Sequence, residues 1–113
     1  MAQRYTFFML LRATPAWLKL PRRQRAAFAE REITPLLARH LGVSLRFYDA
    51  EAFSGRCSDV AIWETDDLQA WSFLVDALRD SAFFAEPYFE LLDIIPAIED
   101  GWRASDRARK AAA

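Results

Sequence analysis

The chain has 113 residues, which is one domain, and 53% of it is apolar, with nine Phe, four Trp and three Tyr. That length can bury roughly 65% of the unfolded surface, enough for a core without disulfides, and a single cysteine excludes an internal disulfide and every paired-cysteine metal or redox motif. A net charge of −1 gives no electrostatic case for nucleic acid or an anionic membrane as partner.

Residues 4–13, RYTFFMLLRA, form a continuous apolar run and predict a central strand buried on both faces. The five apolar residues FFMLL end at Arg12, too short for a signal peptide, and no run approaches the ~20 apolar residues of a membrane span. Together with the lone thiol this predicts a cytoplasmic protein. Residues 14–20 are a connection carrying Trp17. Pro21 opens a helix to about His40, whose stripe is Phe28, Ile33, Leu36, Leu37 and Leu41, with a kink near Ile33-Thr34 because Pro35 lies inside it. Gly42 is expected to end the helix in a left-handed cap.

Residues 43–49, VSLRFYD, alternate: Val43, Leu45 and Phe47 face one way, Ser44, Arg46 and Tyr48 the other. A polar loop over 50–57 leads to a second strand, 58–64, making a long-loop hairpin. Thr65-Asp66-Asp67 caps a helix over 67–79. Residues 81–87 read as a loop with two aromatics, and 88–95, YFELLDII, as the last strand, with Tyr88 and Glu90 on one face and Asp93 on the other. The domain closes at residue 102, and 103–113 is an Ala/Arg tail, a short turn or helix that frays, or disordered.

The order βαββαβ with right-handed crossovers gives an α+β, ferredoxin-like fold: a four-stranded antiparallel sheet with two helices on one face. Two helices cover one side only, yet both parities of most strands are apolar. Phe7, Met9 and Leu11 alternate with Phe8 and Leu10, and Ala61 and Trp63 with Val60 and Ile62. A second apolar face of that size calls for a partner, so a homodimer with sheets face to face and a cavity between them is expected, a dimeric α+β barrel.

The residues RYTFFMLLRATPAWLKL, VSLRFYDAEAFSGRCSDVAIWETDDLQAW and PYFELLDIIPAIEDGW resemble the darcynin family of small bacterial proteins, from about residue 4 to 102. LRFYDAEAF…RCSD is the most specific part. The resemblance implies a ferredoxin-like fold that pairs as a dimeric α+β barrel. It brings no mechanism and no catalytic residue.

Candidate chemistry therefore comes from the residues alone. Arg46 offers a planar fork suited to an oxyanion, Tyr48 a proton donor, and Asp59 or Glu90 a carboxylate base. Trp17 and Trp63 suit the wall of a pocket for a flat apolar ligand, with Tyr88 and Arg56 near its mouth. Against this stands structural use: ion pairs across the hairpin, and loop acids that bond nearby backbone N–H groups. Cys57 and His40 make a nucleophilic dyad only if they meet, and one histidine is a thin basis for haem. Gly-rich phosphate loops, zinc motifs and serine elbows are absent, so no cofactor and no metal is expected. Three functions remain open: a cofactor-independent enzyme acting by cyclisation, isomerisation, decarboxylation or oxygenation on an aromatic or polyketide-like molecule, a non-catalytic binder of a small apolar acid, or a purely structural dimer.

Overall fold

The structure is a computed structural model describing residues 3–113. Strands β1 (Tyr5–Ala13), β2 (Val43–Asp49), β3 (Asp59–Thr65) and β4 (Phe89–Ala97) form one sheet in the order β2-β3-β1-β4. All three pairings are antiparallel. This is the expected ferredoxin-like α+β arrangement, and its two central strands are the two with the strongest apolar runs. Phe7, Met9 and Leu11 of β1 and Ala61, Trp63 and Thr65 of β3 are buried beneath the helices.

Thr14 caps a one-turn helix, α1 (Pro15–Leu18), by accepting from the Trp17 backbone N–H. Helix α2 (Arg22–Phe28) continues through a π-helical turn, Ala29–Ile33, into α3 (Thr34–Arg39). The expected irregularity before Pro35 is this wide turn, which takes up the extra residue and the missing N–H without ending the helix. Among the described residues no glycine has a positive φ, so the left-handed cap expected at Gly42 is replaced by a turn in which His40 leaves the helix at φ −131° and ψ 61°. Asp67 caps α4 (Leu68–Asp80), its Oδ1 accepting from the N–H groups of Gln69 and Ala70.

The expected 81–87 loop contains a further one-turn helix, α5 (Ala82–Ala85), capped by Ser81, and it buries Phe83. Strand β4 runs two residues past the expected end, through Pro96. An edge strand tolerates proline because its outer N–H positions need no partner. A bulge lies in β4: Leu10 pairs with Asp93 and Leu11 with Leu91, so Leu92 is the extra residue. The bulge corrects the expected facing of the acids. Glu90 pairs with Arg12 and Asp93 with Leu10, both on the face away from the helices.

The stretch expected as a tail forms α6 (Gly101–Ala112), which has no buried residue. Asp100 turns the chain into it at φ 48°, and a Cβ on Gly101 would lie 2.6 Å from Ile98 Cδ1. The radius of gyration, 16.7 Å, exceeds the about 13 Å of a compact chain this long because α6 projects from the body.

Candidate functional site

The polar loop between β2 and β3 is built of local bonds. Asp49 Oδ1 accepts from the Glu51 N–H, and Ser54 Oγ accepts from those of Arg56 and Cys57. Arg12 Nη2 donates to the Arg56 carbonyl at 3.0 Å, which ties the loop to β1. Ser58 Oγ accepts from the Ala13 N–H at 2.7 Å and lies 2.7 Å from Asp59 Oδ2, to which it donates. Burial pushes the Asp59 carboxyl up from its ordinary value, the neighbouring Asp49 and Glu51 charges add to this, and the Ser58 bond offsets part of it.

The register separates the residues singled out for catalysis. Asp59 pairs with Leu11 and so has the parity of the helix-covered face, whereas Arg46 and Tyr48, opposite Ile62 and Val60, lie on the open face. Glu90 is on the open face as well, but β2 and β4 are opposite edges of the sheet. Three strand spacings of ~4.8 Å put about 14 Å between those edges, so one subunit does not gather Arg46, Tyr48, Asp59 and Glu90 into one site. Arg46 instead sits 3.9 Å from Glu64, which also lies 3.7 Å from Arg4. These bridge a shallow hollow of about 280 Å³ on the open face, shared with Phe8, Ile62 and Ile98.

A better-formed cavity lies on the other side, between the α2 turn and the sheet. Its volume is about 330 Å³. Trp17, Phe28 and Phe89 make its aromatic wall: the Trp17 ring is 5.6 Å from Phe28 and 5.0 Å from Phe89. Phe47 at the rim meets Phe89 edge to face at 6.2 Å, and Phe83 stacks on Phe89 at 4.6 Å. The π-helical turn contributes Ala29 and Ile33. This placement is informative, because such turns are frequent at functional sites. The one charged lining residue is Arg25, half-buried, whose Nε and Nη2 donate to the carbonyls of Leu20 and Leu18 at 3.0 and 2.8 Å. Two of its five donors are thus engaged with the chain's own carbonyls.

A smaller inner cavity of about 40 Å³ shares Ile33, Leu45, Phe47 and Phe83 with this cleft and adds Trp63 and Leu78. So Trp17 lines the outer space and Trp63 the inner one. Tyr88 stands behind the cleft, packed on Trp17 at 5.5 Å and Phe28 at 5.1 Å, not beside Glu90 on the open face. Arg56 is in the β2–β3 loop and lines neither cavity. Phe28, Phe47, Phe83, Phe89 and Arg25 were not singled out by sequence reasoning. The legible signal was the helix-side parity of Leu45 and Phe47, and nothing local marks Phe83 or Arg25. Among the described residues, no group of three or more His, Cys, Asp or Glu side chains is arranged for a metal ion. No helix of the described residues is long and apolar enough to cross a membrane.

Comparison with known proteins bears on the whole chain. The family model described as "Darcynin, domain of unknown function" matches residues 2–113. The chain belongs to the darcynin family. It is 58% identical to the darcynin of Chromobacterium violaceum over 72 residues, 64% of this chain and 91% of that protein. It is 47% identical to darcynin 1 of Acinetobacter baumannii over 85 residues, 75% of this chain and 94% of that protein. Among solved structures, it superposes on a chlorite dismutase from Candidatus Nitrospira defluvii, in complex with imidazole, with a TM-score of 0.71 at 12% identity. The match covers 88% of this chain and 41% of that one, so this darcynin spans about two fifths of the enzyme. A mutant of the same enzyme gives a TM-score of 0.72. At such identity the likeness shows the fold alone: the chain shares its ferredoxin-like α+β fold with that part of the chlorite dismutase.

Proposed function

We propose that this darcynin is a binder of a small apolar acid, held in the cleft between the α2 turn and the sheet. The supporting observation is an aromatic, apolar cavity of about 330 Å³ that has Arg25 among its lining residues, its guanidinium anchored to the Leu20 and Leu18 carbonyls beside it. Apolar lining with a few convergent polar groups is the usual make-up of a small-molecule site. The apolar body lies against Trp17, Phe28 and Phe89, and the carboxylate meets the Arg25 guanidinium. The cleft lining holds no carboxyl, thiol or imidazole group, so the reading is of binding without turnover. Titration with 2-naphthoate, followed by Trp fluorescence, tests it: saturable quenching that weakens with added salt is expected. Affinity equal to that for 2-methylnaphthalene at every salt concentration contradicts the role of Arg25.

The open face supports a second part of the reading, a homodimer. Phe8, Leu10, Val60 and Ile62 form an apolar centre there, and Ile95 beside them is 46% exposed. Two such faces packed together would shelter that centre. The catalytic alternative, cofactor-independent chemistry on an aromatic or polyketide-like substrate, depends on the same pairing. Only across two facing sheets could Arg46 and Tyr48 of one subunit approach Glu90 of another. Sedimentation at micromolar concentration tests the dimer, and a monomer there removes the shared chamber and the catalytic alternative with it. Cytoplasmic residence is proposed on the single, buried thiol of Cys57.

A further inference from the structure

Every residue of α6 after Gly101 is exposed, and Trp102 in its first turn is 61% exposed. Asp100 at its N-cap makes no side-chain capping bond. A helix of 12 residues with no packed face is marginal in water, even when it is Ala-rich. Its root stands on the open face of the sheet, where Ile98 and Glu99 line the hollow with Phe8, Ile62, Arg46 and Glu64. Charge divides along the same boundary. α6 carries four basic side chains, Arg103, Arg107, Arg109 and Lys110, against one acid, Asp106, a net of +3. Of the chain's 15 basic and 16 acidic side chains this leaves 11 and 15 elsewhere, a net of −4.

We infer that α6 is an arm exchanged in the dimer: each subunit's α6 lies against the other's β4, with Arg107 and Lys110 facing Glu90 and Asp93. The inference rests on the proposed homodimer and names the segment that clasps it. Trp102, Arg103, Asp106, Arg107 and Lys110 share one side of α6, as residues three and four apart do. Arg103 is held by Asp100 at 3.6 Å and lies over the Trp102 ring. Arg107 and Lys110 make no ion pair among the described residues, and neither do Glu90 and Asp93. Both acids are exposed on the open face of β4. At 1.5 Å per residue α6 is about 18 Å long, more than the roughly 10 Å between two packed sheets. From a root on the open face, that length reaches a second copy. The contact is isologous, so each dimer makes it twice. A lipid surface is the poorer occupant, because it leaves Glu90 and Asp93 unmatched and would meet Asp106 among the cations.

Two charge-reversed proteins test the arm by sedimentation: Arg107→Glu with Lys110→Glu, and Glu90→Arg with Asp93→Arg. Each alone is expected to dimerise roughly tenfold more weakly than the unaltered chain. Mixed in equal amounts, they are expected to form a heterodimer of near-normal affinity, because the reversed arm then meets the reversed strand and the normal arm the normal strand. An arm packed on its own subunit gives no such recovery. A second measurement needs no variant. Carbodiimide treatment of a dimer assembled from isotope-labelled and unlabelled chains should join Lys110 to Glu90 or Asp93 in peptides with one labelled and one unlabelled half. Unchanged dimer affinity in both reversed proteins, no recovery on mixing, or cross-links confined to one chain overturns the arm and leaves the sheet-face dimer standing. So does binding to phosphatidylserine vesicles that the arm variant loses while its dimer affinity is unchanged. A monomer in the unaltered chain at micromolar concentration removes the dimer and the arm together.

Discussion

The Thr14 hydroxyl lies 2.7 Å from the Pro87 carbonyl oxygen and donates to it, while Thr14 Oγ1 also accepts from the Trp17 N–H at 3.3 Å. One buried side chain thus joins the end of β1, the start of α1 and the approach to β4, and it sets Trp17 against Phe89. Thr14→Val keeps the shape and removes both bonds, leaving the Pro87 carbonyl without this donor. The expected loss is about 1–3 kcal/mol of unfolding free energy by urea denaturation, with weaker binding of 2-naphthoate because the Trp17 wall loosens. Unchanged stability would mean that aromatic packing alone holds the wall.

Phe47 offers the opposite case. It is 46% exposed, lies at the rim of the cleft and meets Phe89 only edge to face. Phe47→Ala should cost less than about 1 kcal/mol of stability, while removing a contact surface for the ligand worth about 1–2 kcal/mol of affinity. Denaturation and titration of the same variant check the two numbers. A variant that loses stability but binds as before would place the ligand elsewhere.

Asp59 gives a pH dependence of defined sign. Its folded-state pKa is raised above the ordinary 3.8 by burial, then by Asp49 and Glu51, against the lowering effect of Ser58. Between 3.8 and the raised value the folded state holds the extra proton, so stability from this group falls as pH rises through that window and stays reduced above it. Asp59→Asn keeps an acceptor for Ser58 and removes the charge. The variant should be the more stable protein at pH 7, and its advantage should vanish below about pH 3.8, the unperturbed carboxyl value. An advantage that grows on acidification would contradict the assignment.

The open face carries its own test. Ile95, on the edge strand β4, pairs with Phe8 on the open face and is 46% exposed, so Ile95→Glu adds a charge where the single subunit tolerates it. If the sheets pair, the variant should sediment as a monomer at concentrations where the unaltered chain is a dimer, with its secondary structure intact. Equal sedimentation of the two proteins would remove the sheet face as the contact.

Strands and their facing were legible where period-2 alternation was strong. Alternation alone puts Leu45 and Phe47 on one face and Arg46 and Tyr48 on the other, and the register agrees. The facing of Asp93 was not legible, because a bulge at Leu92 inverts parity without any local glycine or proline to announce it. The Gly42 cap failed for a similar reason. The tertiary turn from α3 to β2 decided the backbone there, with the Gly42 carbonyl accepting from Thr65 Oγ1 at 2.7 Å. The cleft was only half visible. Trp17 and Trp63 stood out as large aromatics, but Phe83, Phe89 and Arg25 come from three separate elements, and only their packing in space makes a wall.

The most direct test of the cleft is methyl and aromatic NMR with 2-naphthoate added to the full chain. Intermolecular contacts should appear at Ala29, Ile33, Phe47 and Phe83 and be absent from Phe8, Ile62 and Ile95. Contacts confined to those three open-face residues, or no contacts at all, would contradict the account.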